Sequence, residues 1–466
     1  MRERVHFIGI GGIGMSALAQ ILLARGDVVS GSDAHASGLT AQLANLGAAV
    51  AIGHRKDLVE GADRVVVSDA IQADNPELTE ARARGLRVQR RSQLLAELMS
   101  ERRAIAVSGT HGKTTVTAMI GAILTEAGMD PTLALGGTYG PLGGNARVGQ
   151  GEWFVAEACE AYDSFLDLRP EIALVTNIEA DHLDHHKTEG HLRNSFRQFL
   201  SSVEPGGRAV LCADRPELMA MAAELGRPVV TYGESEAADF RGSEMASTER
   251  GGCCRIWVGG ERAGELRVAS PGRHNVVNAL GATAAAVQAG APLSACQAAL
   301  ATFHGVDRRF QVLGEAGGAT IVDDYAHHPT EVAATIAAAR AAFPERRVVA
   351  VFQPHLYSRT RDFAEGFARA LGAADVVVLT DIYPAREAPL PGVTSRLIAD
   401  RVRELRGKDA VLEAAKEELT RELSARVRPG DVVLVMGAGD VGVVAHELAH
   451  TSCAKGTAEQ EVVPKR

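Results

Sequence analysis

The 466-residue chain has no block of Lys and Arg, no long unbroken apolar run, no CxxC pair, no short repeat and no low-complexity stretch. Each absence removes a class of function. Lys and Arg number 49 against 58 Asp and Glu, a formal net charge of −9, whereas a nucleic-acid or anionic-membrane surface needs a concentrated basic footprint. Neither partner is expected. A phosphate ligand stays open, because it needs only a few local donors. The longest apolar stretch, Ala279 to Leu300, is interrupted by Gly290-Ala291-Pro292 and predicts two packed helices rather than a membrane span. Six cysteines (Cys159, Cys212, Cys253, Cys254, Cys296 and Cys453) show no ligand-like spacing. No basic-then-apolar signal segment precedes Val5-His6-Phe7-Ile8, so free thiols and a cytoplasmic location are expected.

What is present is a globular composition, 46% hydrophobic and 23% charged, on a chain long enough for two or three domains. Short β-branched runs alternate with helical patterns. Strands are expected at Val5–Ile8, Asp27–Ser30 and Arg64–Ser68, with helices at Met15–Arg25 and Pro76–Gly85. That rhythm means a parallel sheet with helices on its faces. A second start comes at Arg103–Val107, followed by a Gly-rich turn and a helix over Thr114–Ala127. A third follows Arg308-Arg309-Phe310, with strands near Thr320–Val322, Arg347–Phe352, Asp375–Thr380 and Asp431–Met436. The expected fold is α/β in three domains, 1–99, 100–306 and 307–466.

Three glycine-rich signals end strands. Gly9-Ile10-Gly11-Gly12-Ile13-Gly14 fits G-x-G-x-x-G between a strand and a helix. Glycines there let the backbone approach a pyrophosphate at the helix N-terminus, and Asp33, about twenty residues on, is placed to bind a ribose hydroxyl. A dinucleotide is the default ligand, and any ribosyl pyrophosphate, UDP-sugars included, also suits. Gly109-Thr110-His111-Gly112-Lys113-Thr114-Thr115 is a short phosphate loop. Its backbone N–H groups are expected to wrap phosphates, with Lys113 reaching the β/γ oxygens and Thr114 ligating Mg²⁺. Gly437-Ala438-Gly439-Asp440 reads as a turn near the ligand edge of a sheet.

Polar clusters follow other strands. Glu157 ends Trp153–Ala156 and Asn177 follows Ile172–Val175, both at strand carboxyl ends where an ATP–metal complex would lie. The run Asp181-His182-Leu183-Asp184-His185-His186 lacks the Cys partners or helical H-x-x-x-H of a zinc site. His185 and His186 are expected in a solvated loop. Asp323-Asp324-Tyr325-Ala326-His327-His328-Pro329-Thr330 and Gln353-Pro354-His355-Leu356-Tyr357-Ser358-Arg359-Thr360 are polar, strand-terminal loops, which together favour a polar site in the third domain.

Taken in order, these motifs make the chain resemble the Mur ligases from His6 to about Gly442. Further carriers are Ser30-Gly31-Ser32-Asp33, Thr176-Asn177-Ile178-Glu179-Ala180-Asp181-His182, Pro271-Gly272-Arg273-His274-Asn275 and Gly305-Val306-Asp307-Arg308-Arg309-Phe310. The Gly-Ile-Gly-Gly-Ile-Gly-Met start and the Asp-Tyr-Ala-His-His-Pro-Thr loop resemble the alanine-adding member. The resemblance implies a Rossmann-like UDP-sugar domain, a central P-loop-type ATP domain and a Rossmann-like amino-acid-side domain. It implies UDP-sugar contacts from Gly9, Gly11, Gly12, Gly14, Ser32, Asp33 and Ser68. ATP would meet Gly109 through Thr115, with His274, Asn275 and Asn278 near the adenine and Arg309 and Asp324 on the third-domain side. Thr114, Glu157 and His182 would hold Mg²⁺ or Mn²⁺, and Tyr325, His327, His355 and Arg359 would line the amino-acid pocket. The catalytic set would be Lys113, Glu157, His182, His327, His355 and Arg359. Two departures stand out: Cys159 where the family carries an Asp, and Leu356 where some relatives carry an Arg.

The implied reaction is ATP-driven activation of the lactyl carboxylate of UDP-N-acetylmuramic acid to an acyl phosphate, then attack by L-alanine, as a monomer or homodimer. The rival within the same chemistry is a recycling ligase that adds a whole peptide to the same sugar. From other classes, an NAD-dependent oxidoreductase or a non-catalytic nucleotide-binding regulator would leave the Lys113 loop, Glu157 and the third-domain His/Arg loops without a common purpose.

Overall fold

The computed structural model describes residues 2–179, 188–385, 387–407 and 411–456. Three sheets follow one another along the chain. The first contains β1 (Arg4–Ile8), β2 (Val28–Asp33), β3 (Ala49–Ile52), β4 (Arg64–Val67) and β5 (Arg87–Arg90) in the order β3-β2-β1-β4-β5. Every pairing in it is parallel. The chain fills one side of β1, then crosses to the other, so the sheet's switch point lies between β1 and β4. The Gly9–Gly14 turn leaves β1 there.

The second sheet has β6 (Arg103–Ser108), β7 (Thr132–Tyr139), β8 (Gly144–Arg147), β9 (Trp153–Glu157), β10 (Ile172–Val175), β11 (Arg208–Cys212), β12 (Val229–Gly233), β13 (Phe240–Thr248), β14 (Gly251–Val258) and β15 (Glu261–Val268). Their order is β15-β14-β13-β12-β11-β10-β6-β9-β7-β8. β6 therefore sits between β9 and β10, so the ends of all three converge around the Lys113 loop. The apolar stretch from Ala279 forms two helices, Arg273–Gln288 and Leu293–Ala301, parted at Gly290.

The third sheet contains β16 (Gln311–Ala316), β17 (Ala319–Asp324), β18 (Val348–Phe352), β19 (Val376–Leu379), β20 (Val411–Glu413) and β21 (Val432–Met436), ordered β16-β17-β21-β18-β19-β20. Only β16 runs antiparallel. Both faces are covered, which is why β18 reads as one unbroken apolar run. Val348, Ala350 and Phe352 pack with Ile336, Phe367 and Ile398, while Val349 and Val351 pack with Leu419, Leu423 and Leu448.

By their contacts the described residues form two compact units, one of 1–244, 254–266 and 277–303 and the other of 245–253, 267–276 and 304–466. One expected element is longer than its sequence suggested. The strand expected at Asp27–Ser30 runs on to Asp33, because Ser30, Gly31 and Ser32 pair with both β1 and β3. Gly31 permits this, since a Cβ there would lie 2.6 Å from the Phe7 carbonyl oxygen. Cys159, Cys212, Cys253, Cys254 and Cys296 are free thiols, as expected. Among the described residues no helix is long and apolar enough to cross a membrane.

Candidate active site

The first glycine loop is tied down from beneath. The amides of Gly9 and Ile10 donate to the Ser32 carbonyl at 2.8 and 2.9 Å, and the amide of Gly11 donates to Asp33 Oδ2 at 2.9 Å. Gly11 tolerates no side chain, because a Cβ would sit 2.8 Å from Thr40 and 2.9 Å from Asp33. Ser32 is wholly buried, and its hydroxyl bonds Glu77 Oε2 at 2.7 Å. His6 Nε2 lies 2.8 Å from the same carboxylate and His54 Nδ1 3.1 Å from its other oxygen. Burial pushes Glu77 up, yet these partners hold it below the ordinary carboxylate value. Ser32 and Asp33 thus shape the loop, and Ser68 stands beside Gly9, 3.4 Å from where its Cβ would be.

The second loop is stitched to β10. The His111 amide donates to Asn177 Oδ1 at 2.9 Å, Asn177 Nδ2 donates back to the His111 carbonyl at 3.1 Å, and Thr176 Oγ1 donates to that carbonyl at 2.6 Å. Thr110 reaches the Glu179 amide at 2.9 Å. Gly109 and Gly112 have φ of 125° and 85°, conformations that favour glycine. A Cβ at Gly112 would lie 2.9 Å from Asn278 Oδ1, so Asn278 lies against the loop. Lys113, Thr114 and Thr115 open the helix Lys113–Glu126, which gives phosphate oxygens both amides and the positive end of the helix dipole. Burial alone would lower the Lys113 ammonium, but Glu160 and, behind it, Cys159 and Glu157 hold it above the usual lysine range.

Glu157 closes the geometry. It ends β9, and its Oε1 accepts from the Gly136 amide at 2.6 Å. A Cβ at Gly136 would lie 2.5 Å from Glu157 Oε2, so glycine there is what lets the carboxylate lie against β7. Gly12, Gly14, Ser68, Arg91, Gly136 and Glu157 line a cavity of about 350 Å³. The first glycine loop and the Glu157 carboxylate face one space. Thr114 and Glu157 are oxygen donors, which suits a hard divalent cation. His182 lies outside the described residues, as do His185 and His186.

The other expected site residues fall in the second unit, apart from Asn278. Tyr325 follows β17, with the guanidinium groups of Arg308 and Arg309 at 4.9 and 5.1 Å from its ring centre. His327 Nδ1 lies 2.9 Å from the Tyr325 carbonyl and 3.2 Å from Glu331 Oε2. Both partners are acceptors, so Nδ1 carries the proton and Nε2 is the basic nitrogen of the neutral ring. The His355 ring stacks on Tyr383 at 5.8 Å and lies 6.0 Å from that of His327. Arg359, 7% exposed, comes within 3.4 Å of His355 Nδ1. Arg308, Phe310 and Leu356 hold left-handed backbones, at φ 58°, 47° and 68°, as strained residues at functional sites do. Asp324 accepts from the amides of Phe310 and Ala326, both at 2.7 Å, and burial pushes its carboxyl up to about 6 against the pull of Arg309. Asn275 is buried and donates to Ser270 Oγ and the Pro271 carbonyl, closing the turn before its helix, while His274 beside it is exposed.

Glu77, Gly136, Glu160 and Glu331 were not singled out from the sequence. Glu331 alone had a local signal, since it stands three residues after the helix-capping His328 and accepts from the amides of His327 and His328.

Residues 4–103 match the Mur ligase family, catalytic domain, 107–286 the Mur ligase middle domain, and 308–439 the Mur ligase, glutamate ligase domain. A UDP-N-acetylmuramate–L-alanine ligase of Anaeromyxobacter sp. (strain Fw109-5) is 47% identical over 96% of this chain and 97% of its own. One from Geobacter sp. (strain M21) is 46% identical over 94% and 95%. The crystal structure of UDP-N-acetylmuramate-alanine ligase from Thermotoga maritima superposes with a TM-score of 0.83 at 29% identity, covering 97% of this chain and 99% of that one. With three sheets in this order, two glycine loops at strand ends and matches along nearly its whole length, the chain belongs to the Mur ligase family.

Proposed function

We propose that this chain joins L-alanine to the lactyl carboxylate of UDP-N-acetylmuramic acid at the expense of ATP, in the synthesis of the peptidoglycan precursor. The observation that carries this reading is the cavity that the Gly12–Gly14 turn and Glu157 line together. A sugar nucleotide held by the first loop extends its sugar into that space, toward the metal side of the second. Relatives of 46–47% identity bear the name of this activity. Domain roles follow the same division: 1–99 for the UDP-sugar, 100–306 for ATP and 307–466 for the amino acid.

A carboxylate is a poor electrophile, so it is first made an acyl phosphate. One lactyl oxygen attacks the γ-phosphorus, the bond from that phosphorus to the bridging oxygen breaks, and ADP leaves. Lys113 and the amides of Gly109 to Thr115 offset the charge on the transferring group, largely by position and electrostatics. Thr114 and Glu157 would hold a divalent cation, Mg²⁺ or Mn²⁺, which neutralises phosphate charge when bound. The alanine amine then attacks the acyl carbon, phosphate departs, and His327 Nε2 takes the amine's proton. Glu331 and the Tyr325 carbonyl fix the tautomer that allows it. Arg359 pairs with the alanine carboxylate.

The test is phosphate release with ATP, Mg²⁺ and UDP-N-acetylmuramic acid against single amino acids and one tripeptide. Release that requires both the UDP-sugar and L-alanine, with the amide seen by mass, is the expected result. Release with the tripeptide alone moves the chain to the recycling ligases, and nucleotide binding without any amide moves it to a regulator.

A further inference from the structure

Lys113 has a resident anion. Its ammonium donates to the carbonyls of Gly109 and Thr110 at 2.5 and 3.0 Å, and lies 3.1 and 3.0 Å from the two oxygens of Glu160. Those contacts engage the three protons of the ammonium. Glu160 is 1% exposed, so this is a largely desolvated pair, unlike such exposed pairs as Arg25–Glu101.

The backbone is bent to deliver that carboxylate. Tyr162 and Asp163, two consecutive non-glycine residues, take φ of 55° and 54°, a conformation that L side chains resist. The bend is pinned on both sides. The Phe165 amide and Ser164 Oγ donate to the Cys159 carbonyl at 3.0 and 2.9 Å, and the Asp163 amide donates to the Glu160 carbonyl at 3.1 Å. Four residues on, Asp167 accepts from Ser92 Oγ at 2.6 Å and pairs with Arg90 at 3.1 Å. Glu157 stands three residues before Glu160 at the end of β9. A nucleotide polyphosphate arriving at Lys113 would bring several negative charges to an ammonium already claimed by a buried carboxylate. The two anions cannot both keep the ammonium in a low-dielectric site without strong repulsion.

We propose that Glu160 is a placeholder anion, holding Lys113 in the nucleotide-free protein and yielding it to the β- and γ-phosphates, so that it sets nucleotide affinity. This rests on the reading of the Lys113 loop as the ATP site. The exchange is what a turnover enzyme requires: the same carboxylate that competes with ATP on entry competes with ADP on exit. Glu160 is a positioning residue, acting through Lys113.

The experiment compares the binding of ATP, ADP and AMP, and steady-state kinetics, in wild type, Glu160→Gln and Lys113→Ala. With the competitor neutralised, Glu160→Gln is expected to bind ATP about tenfold tighter, the scale of one charge-assisted hydrogen bond. ADP gains less and AMP nothing. KM for ATP falls, and kcat falls with it as ADP leaves more slowly. A Glu160 that merely braces the fold predicts unchanged or weaker ATP binding in a folded Glu160→Gln protein, and that result overturns the proposal. If Glu160→Gln does not fold, Glu160→Asp withdraws the carboxylate by one methylene and is expected to tighten ATP binding in the same direction; unchanged binding there overturns the proposal equally. Lys113→Ala separates the two levels. If it binds ATP as wild type does, the ATP-site reading itself fails. If it loses ATP while Glu160→Gln gains none, only the placeholder fails.

Discussion

The two glycine loops are built from the same plan and differ in what lies beneath them. Each leaves a buried strand, turns through left-handed glycine and opens a helix. Under the first loop lies Glu77, held by Ser32, His6 and His54, with Asp33 capping the Gly11 amide. These acceptors and donors satisfy one another, and none needs a ligand. Beside the second loop lies Glu160, paired to Lys113, the side-chain cation of that loop. The first loop is therefore a preformed cradle, while the second is a site whose charge must be exchanged before it works. Binding a sugar nucleotide asks only for shape and donors. Moving a phosphoryl group asks in addition for a positioned cation that offsets its charge.

The largest expected effect breaks the second loop alone. Lys113→Ala is expected to cut turnover by about 10³-fold or more, the loss that follows removal of a positioned transition-state donor, and to lower the melting temperature because the buried Glu160 carboxylate loses its partner, while UDP-sugar affinity stays near wild type. Calorimetric titration with each ligand checks this, and near-normal activity would contradict the division of labour. The mirror change is Asp33→Ala, which frees the Gly11 amide. It is expected to weaken UDP-N-acetylmuramic acid roughly tenfold or more and leave ATP binding as it was; equal losses for both ligands would mean the loops are not separable.

Two smaller effects sharpen the contrast in stability. Glu77→Gln turns an amide toward donors that require a carboxylate, and is expected to cost about 1–3 kcal/mol at neutral pH. Because the folded pKa of Glu77 lies below its ordinary 4.5, the stability it adds is present above about pH 4.5 and is lost as pH falls through the folded value. The gap between wild type and Glu77→Gln in urea midpoint should therefore narrow below pH 4.5, and a constant gap would refute the charge argument. Gly109→Ala, at φ 125° with Thr176 against the missing Cβ, is expected to destabilise by about 1–3 kcal/mol and to weaken ATP binding in parallel, read by thermal melts with and without nucleotide.

Both loops were legible in the sequence because their signals are local: an apolar strand, glycines at fixed spacing, then a helix. So were the strand-terminal Glu157, Tyr325 and His355. What escaped is what tertiary structure alone brings together. Glu77 sits in the helix Pro76–Ala83 like any helical acid, and only the fold carries it under Ser32. Glu160 reaches Lys113 through a backbone bend that no propensity foretells. Ser32 and Asn275 were legible as polar residues, but their bonds to Glu77 and to the Ser270–Pro271 turn were not. Among strands, β5 reads Arg-Val-Gln-Arg and β13 alternates between buried and exposed positions, so neither shows the continuous apolar run that marked β6 and β18.

The most direct test of the account follows one oxygen atom. UDP-N-acetylmuramic acid labelled with ¹⁸O in its lactyl carboxylate is incubated with ATP, Mg²⁺, L-alanine and the enzyme, and the released phosphate is weighed. Carboxylate attack on the γ-phosphorus, followed by amine attack on the acyl carbon, predicts one ¹⁸O in each phosphate and an amide that keeps the other. Phosphate free of label, formed alongside the amide, would contradict the acyl-phosphate route on which the roles of Lys113, Glu157 and His327 depend.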